Sequence, residues 1–157
     1  YKMLKKFILL LISITLLSNC GFTPIHSNKI NKNFSIEAVS FTGDKTINNY
    51  IKVNLKQFEN NNSKKKFKLK INKNFKKDTL AKDKTAKITN FKLSSVSTIQ
   101  ISSGGNEIKE IKISQNKNMN NYDDKFEERK NERNIKQNFA SAITRQIITE
   151  ISILNDN

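Results

Sequence analysis

Between residues 66 and 71 the chain alternates without a break, Lys66-Phe67-Lys68-Leu69-Lys70-Ile71. No other stretch constrains the fold as tightly, because a period of two sets Phe67, Leu69 and Ile71 on one face of a β-strand and the lysines on the other. The strand is half-buried, with a charged outer face. Whatever covers it needs one apolar surface.

The flanking segments supply that cover. Phe34 to Phe41 is compact and β-prone and reads as the first strand. Thr42-Gly43-Asp44 is a turn in which Asp44 can cap a helix. Ile47, Ile51, Leu55 and Phe58 then recur at helical spacing, predicting an amphipathic helix of about four turns that ends at Asn60-Asn61-Asn62-Ser63. After the alternating strand, residues 72–84 read as a loop or frayed strand ends.

A long strand follows from Thr85 to about Ile101, with Phe91, Leu93, Ile99 and Ile101 sharing a parity and Ser95 and Ser97 between them on the same face. Two serines on a core-facing row imply either thin packing or a bulge that shifts register. Ser102-Ser103-Gly104-Gly105-Asn106 is a tight reversal, and the strand returns from Glu107 to about Gln115, followed by a loop over 116–121. The rest, Tyr122 to Leu154, reads as one long helix with Phe139, Ile143, Ile147, Ile151 and Leu154 on a stripe. Its charged first half, with Glu132 and Lys136 at i,i+4, is expected to project while the second half packs. The order β-α-β-β-β-α predicts an α+β fold: two helices packed on one face of a four-stranded, mostly antiparallel sheet.

Ahead of this domain the chain has a different character. Lys5 and Lys6 precede an apolar run from Phe7 to Ile12 that softens through Leu17, and then comes Ser18-Asn19-Cys20-Gly21-Phe22. A basic start and an apolar stretch too short for the roughly 20 residues of a bilayer span are the layout of a secretory signal. Met3 reads as the start of translation. The placement of Cys20, the single cysteine, is similar to the processing site of a bacterial lipoprotein precursor. The organisation expected is a lipoprotein signal peptide at 1–19, a lipidated tether at 20–32 and a single domain at 33–157. A plain signal peptide and an uncleaved anchor are the alternatives, and Asn19 stands where a small residue is usual. Several acyl chains on Cys20, at about 0.8 kcal/mol per buried methylene, would hold the chain to a membrane durably. Pro24 and His26 lie in the tether, and one histidine without a second histidine or cysteine makes no metal site.

Net charge is +15 and is unevenly spread: twelve lysines fall between Lys64 and Lys92 against Asp78 and Asp83. From Asp123 onward acids and bases nearly balance. Such a stretch suits a polyanionic partner: nucleic acid, anionic headgroups or phosphorylated glycolipid. A solvated face in a protein from an AT-rich coding sequence is the alternative. Secretion removes nucleic acid as the natural partner. No nucleophile elbow, P-loop, dinucleotide turn or HExxH is present, so neither catalysis nor a cofactor or metal is expected.

The chain resembles the LptE family of lipopolysaccharide-assembly lipoproteins, particularly its alphaproteobacterial members. The likeness lies in Cys20-Gly21-Phe22-x-Pro24, in Gly43-Asp44 leading to Ile47-Asn48-Asn49, in the strand-to-helix passage at Tyr122, and in the closing helix through Arg145, Ile147 and Ile151. It implies an outer-membrane lipoprotein that plugs and helps assemble an LptD-like β-barrel, binds lipopolysaccharide and is anchored through Cys20. Loop position and charge, supported by this resemblance, single out the candidate phosphate partners: Lys73, Lys76, Lys77, Lys82 and Lys84 between the second and third strands, and Lys117 after the fourth.

Overall fold

The computed structural model describes residues 34–59 and 63–156. The signal, Cys20, the tether and Asn60 to Asn62 lie outside the described residues. Strand β1 spans Phe34–Thr42, helix α1 spans Lys45–Leu55 with a 3-10 turn over Lys56–Phe58, and β2 spans Lys65–Lys82. Then come β3 over Ile88–Ser103, β4 over Asn106–Asn120 and helix α2 over Lys125–Asp156. The four strands lie in chain order, with β1 parallel to β2 and the other two pairs antiparallel. The architecture is the expected α+β one.

The alternation at 66–71 dictates the layers as read. Phe67, Leu69 and Ile71 are buried while the lysines between them are exposed. Their row continues across β3 through Ile99 and Ile101, and the helices close it with Ile47, Ile51 and Leu55 from α1 and Ile143, Ile147 and Ile151 from α2. Each helix needs one apolar stripe because the opposite sheet face stays in solvent. At the β1 end of this core the Phe34 ring stacks on Phe58 at 5.8 Å and meets the edge of Phe67 at 6.1 Å.

Local chemistry sets the element ends. Asp44 caps α1, its Oδ1 accepting from the Ile47 N–H at 2.9 Å, which satisfies one of the orphan donors of the first turn. Gly43 before it has φ +93°, and a Cβ there would collide with the Lys73 carbonyl oxygen, so only glycine lets the chain leave β1 this close to β2. The β3–β4 turn is the two residues Gly104 and Gly105, both at positive φ as a tight hairpin requires. The last turn of α2 is closed by Lys65, whose Nζ donates to the carbonyls of Leu154 and Asn155.

Three expectations change. Residues 72–82 are strand, because Lys73 to Thr79 pair residue for residue with Ser97 to Phe91, and pairing overrides their polar composition. Residues 116–120 likewise belong to β4, opposite Asn90 to Ser94. Nor does the first half of α2 project: Glu128 and Ile135 are buried, and ion pairs described below fasten it to the sheet. Of the two readings of Ser95 and Ser97, thin packing holds. Pairing through them is unbroken on both sides, and the register shifts fall at Thr79–Lys82 and at Ile101–Ser102.

Candidate functional site

The six lysines do not form one group. Lys73, Lys76, Lys77 and Lys82 stand on β2, Lys84 is in the β2–β3 turn, and Lys117 is on β4. They are therefore strand residues rather than loop residues, Lys84 excepted, and strand parity sorts them. Cross-strand rows run Lys73–Ser97–Ile113, Phe75–Ser95–Gln115 and Lys77–Leu93–Lys117, all on the helix-covered face. Lys76 points to the open face in the row Lys76–Ser94–Asn116. Among the described residues Lys76, Lys82, Lys84 and Lys117 make no ion pair.

Lys77 is engaged. Its Nζ lies 2.7 Å from Glu128 Oε1 and 3.0 Å from Glu132 Oε2, and 4.4 Å from the centre of the Phe91 ring. The network continues through Lys136, which meets Glu132 at 3.1 Å and Asp44 at 3.0 Å and sits 4.3 Å over the Phe75 ring. Lys125 closes the other side of Glu128 at 2.6 Å. Hydrogen bonds from Lys125 and Lys77 hold the Glu128 carboxyl below its ordinary range. At Glu132 burial pushes the other way, and Lys77 and Lys136 outweigh it. The same contest at Lys77 and Lys136, burial against carboxylate partners, leaves both amines raised.

Lys73 is the reverse case. It is 4% exposed, its Nζ has no hydrogen-bond partner among the described residues, and the Nζ lies 5.5 Å from the centre of the Phe41 ring. Burial, only partly offset by the field of Asp44, pushes its amine down to about 8. Beside it the Ser95 and Ser97 hydroxyls and Gln115 Oε1 are buried without partners as well. This polar strip lies between the layers in the Lys73 and Phe75 rows, with Asp44 near Lys73 and Lys136 over the Phe75 ring. The sequence signalled it only through the two serines; that Lys136 reaches Asp44, far upstream, had no sequence signal.

At the distal end of the sheet the β2–β3 turn is ordered by Asp83, whose Oδ1 accepts from Thr85 N–H and Oγ–H and from Lys87 N–H. Lys87 crosses to Asp123 at 2.9 Å, beside the start of α2. The exposed large apolar residues include Leu80 on β2, 48% exposed, and Phe126 in the first turn of α2, 63% exposed. Lys82, at the end of β2, and Lys84, in the turn after it, make no ion pair among the described residues. At the opposite sheet edge a groove of about 200 Å³ separates β1 from α1, lined by Ile36, Val39, Phe41 and Leu55 with Lys52 and Glu59 at its rim. Among the described residues no three His, Cys, Asp or Glu side chains converge as a metal site, and no helix is long and apolar enough to cross a membrane.

This fold is found in solved lipoproteins. Rare lipoprotein B from Shewanella oneidensis matches with a TM-score of 0.53 at 12% identity, over 75% of this chain and 98% of that one. A minor lipoprotein from Acinetobacter baumannii matches with a TM-score of 0.54 at 20% identity, over 74% and 91%. A Caulobacter crescentus protein assigned as a lipoprotein matches with a TM-score of 0.56 at 11% identity, over 80% and 91%. At these identities the likeness is one of fold. No protein-family model matches the chain, and no curated protein sequence does.

Proposed function

We propose that this chain is an LptE-like outer-membrane lipoprotein. It is anchored through Cys20, supports and plugs an LptD-like β-barrel, and binds lipopolysaccharide without catalysing a reaction. The observation that carries the reading is a domain with the fold of three lipoproteins, placed behind a lipoprotein-type cysteine. Exposed residues of the β2–β3 end and of the first turn of α2 add the chemistry. Lys82 and Lys84 offer point charges to lipid A or core phosphates, while Leu80 and Phe126 offer apolar contact. A lipid on Cys20 would restrict the domain to the membrane plane and raise its effective concentration near a barrel.

Affinity purification from membranes at native expression tests the reading. It should bring down an outer-membrane β-barrel protein, and mass spectrometry of the mature chain should find diacylglyceryl and acyl groups on Cys20. A pull-down without a barrel protein, or an unmodified cysteine, overturns it. The scatter of unpaired lysines over both faces favours a second reading, a basic domain holding any anionic surface. That reading requires binding that is indifferent to lipopolysaccharide and falls steeply with salt.

A further inference from the structure

Among the described residues β1 pairs with β2 alone, so the other side of its backbone presents N–H and C=O groups without a partner strand. The sheet's other outer strand, β4, carries Lys109, Lys112 and Lys117, and lysines at an edge obstruct a further strand. Of the four described strands β1 alone has no lysine. Its register with β2 is unbroken from Ala38 to Thr42, after an irregularity at Glu37. The two faces of this regular edge differ. Towards the helices lies the groove of about 200 Å³ against α1, walled by Val39, Phe41 and Leu55. Val39 and Phe41 are only half-buried there, so hydrocarbon is left to be covered. On the opposite face Ala38, Ser40 and Thr42 stand beside Lys68, Lys70 and Asn72 of β2. The β1 side chains in this row are short, and the exposed lysines can extend across them. Lys68 already does so, its Nζ lying 3.7 Å from Glu37 on β1. With strands about 4.8 Å apart, a strand added outside β1 would lie about 10 Å from β2, one Debye length at 0.1 M salt even before the lysine side chains reach towards it.

We infer that the edge of β1 is a strand-addition site for an extended segment of a different protein in which apolar and acidic residues alternate. The period of two sends the apolar side chains into the groove and the carboxylates to the face of Lys68 and Lys70. Main-chain hydrogen bonds to β1 supply affinity, and the two unlike faces supply the sequence preference. Lys52 at the groove rim, which makes no ion pair among the described residues, adds a third ammonium group. A second copy of this chain is a poor occupant, because each copy carries a net charge of +15 and β1 itself offers only Glu37 as an acid. The site deepens the barrel-partner reading, and rests on it for the identity of the protein that supplies the segment but not for the edge.

Photo-crosslinking in the full chain in its own membranes tests this. The crosslinking residue p-benzoylphenylalanine replaces Ala38 or Lys52, on the two sides of the groove, with Lys112 on β4 as the control position. All three side chains are exposed, so the replacements leave the core intact. Irradiation should join the Ala38 and Lys52 positions to one segment of another protein, identified by sequencing the adduct, in which acidic and apolar residues alternate. The Lys112 position should not reach it. A synthetic copy of that segment should bind K68Q/K70Q about fivefold more weakly than K112Q/K117Q, which removes the same charge away from β1, the factor that two exposed ion pairs supply. Adducts with a second copy of this chain, adducts with a segment lacking the alternation, no protein adduct, or equal affinities for the two double variants overturn the inference. An alternating segment from another kind of protein, with no barrel protein in the pull-down, leaves the edge site standing and overturns the barrel reading. A barrel protein that is recovered with the chain but crosslinks to neither Ala38 nor Lys52 position does the reverse.

Discussion

Replacing Lys73 with Met should stabilise the domain at neutral pH and remove a specific pH dependence. The wild-type amine titrates at 10.5 when unfolded and at about 8 when folded. Between those values the unfolded chain holds more protons, so raising the pH favours the folded state. Below about pH 8 the amine is charged in both states and the full cost is present; above 10.5 it is neutral in both and the cost vanishes. At about 1.36 kcal/mol per unit the shift is worth about 3 kcal/mol, which we reduce to about 2 kcal/mol for residual solvent screening of the amine. Methionine keeps the length and flexibility of the side chain and removes the charge. Urea unfolding followed by circular dichroism at pH 7 should therefore show the variant more stable by about 2 kcal/mol, or about 6–8 °C in Tm. Near pH 10 the difference should shrink towards zero, and taking the difference between proteins cancels the other lysines and the tyrosines. A variant less stable than wild type at pH 7, or a gap that does not change with pH, refutes the argument by showing that the buried amine has a partner in the folded protein.

Gly43→Ala should cost more than about 2 kcal/mol in the same unfolding assay, since a positive φ and a backbone collision with the Lys73 carbonyl act together; a loss under about 0.5 kcal/mol would mean that the β1–α1 passage can move aside. Acidification gives the opposite pH limb to Lys73. Asp44, Glu128 and Glu132 all have lowered folded values, so their contribution is present above the unfolded values of 3.8 and 4.5 and is lost as pH falls through the folded ones. Melts from pH 6 to pH 2.5 should therefore drop more steeply for wild type than for E128Q/E132Q, and parallel curves would count against the ion-pair network as a stabilising feature.

The sequence showed its layers wherever a residue's environment repeats with the period of its own element. Phe67, Leu69 and Ile71 announced β2, and the parity of Leu93, Ser95, Ser97, Ile99 and Ile101 announced both β3 and its polar interlude. The Asp44 cap and the Gly104-Gly105 turn were equally local and equally legible. What escaped depends on a neighbour. Asn72 to Lys82 and Asn116 to Asn120 carry turn-like residues, yet β3 lies between them and its backbone groups pair with both. The docking of the first half of α2 escaped for a related reason: its surface is charged, and charge reads as solvated unless the opposing charges, here Lys77 and Asp44, are known to lie across from it. The same blindness made the five lysines from Lys73 to Lys84 look like one basic loop, and Lys117 part of another.

The end of β1 has a consequence for how this chain survives at high concentration. β1 stops at Thr42, opposite Asn72, so on that side β2 runs on towards Lys82 with no neighbouring strand among the described residues. A bare length of strand backbone invites a strand from another molecule, which is how sheets grow into aggregates. Here the open length carries Lys76, Lys77 and Lys82, and its pairing with β3 is broken by irregularities at Thr79–Lys82. Charge and irregularity are the two devices that make an edge a poor template. Part of the lysine excess thus serves to keep molecules apart. Exchanging Lys76 and Lys82 for valine would leave every buried contact described above in place and still turn the domain towards fibrils.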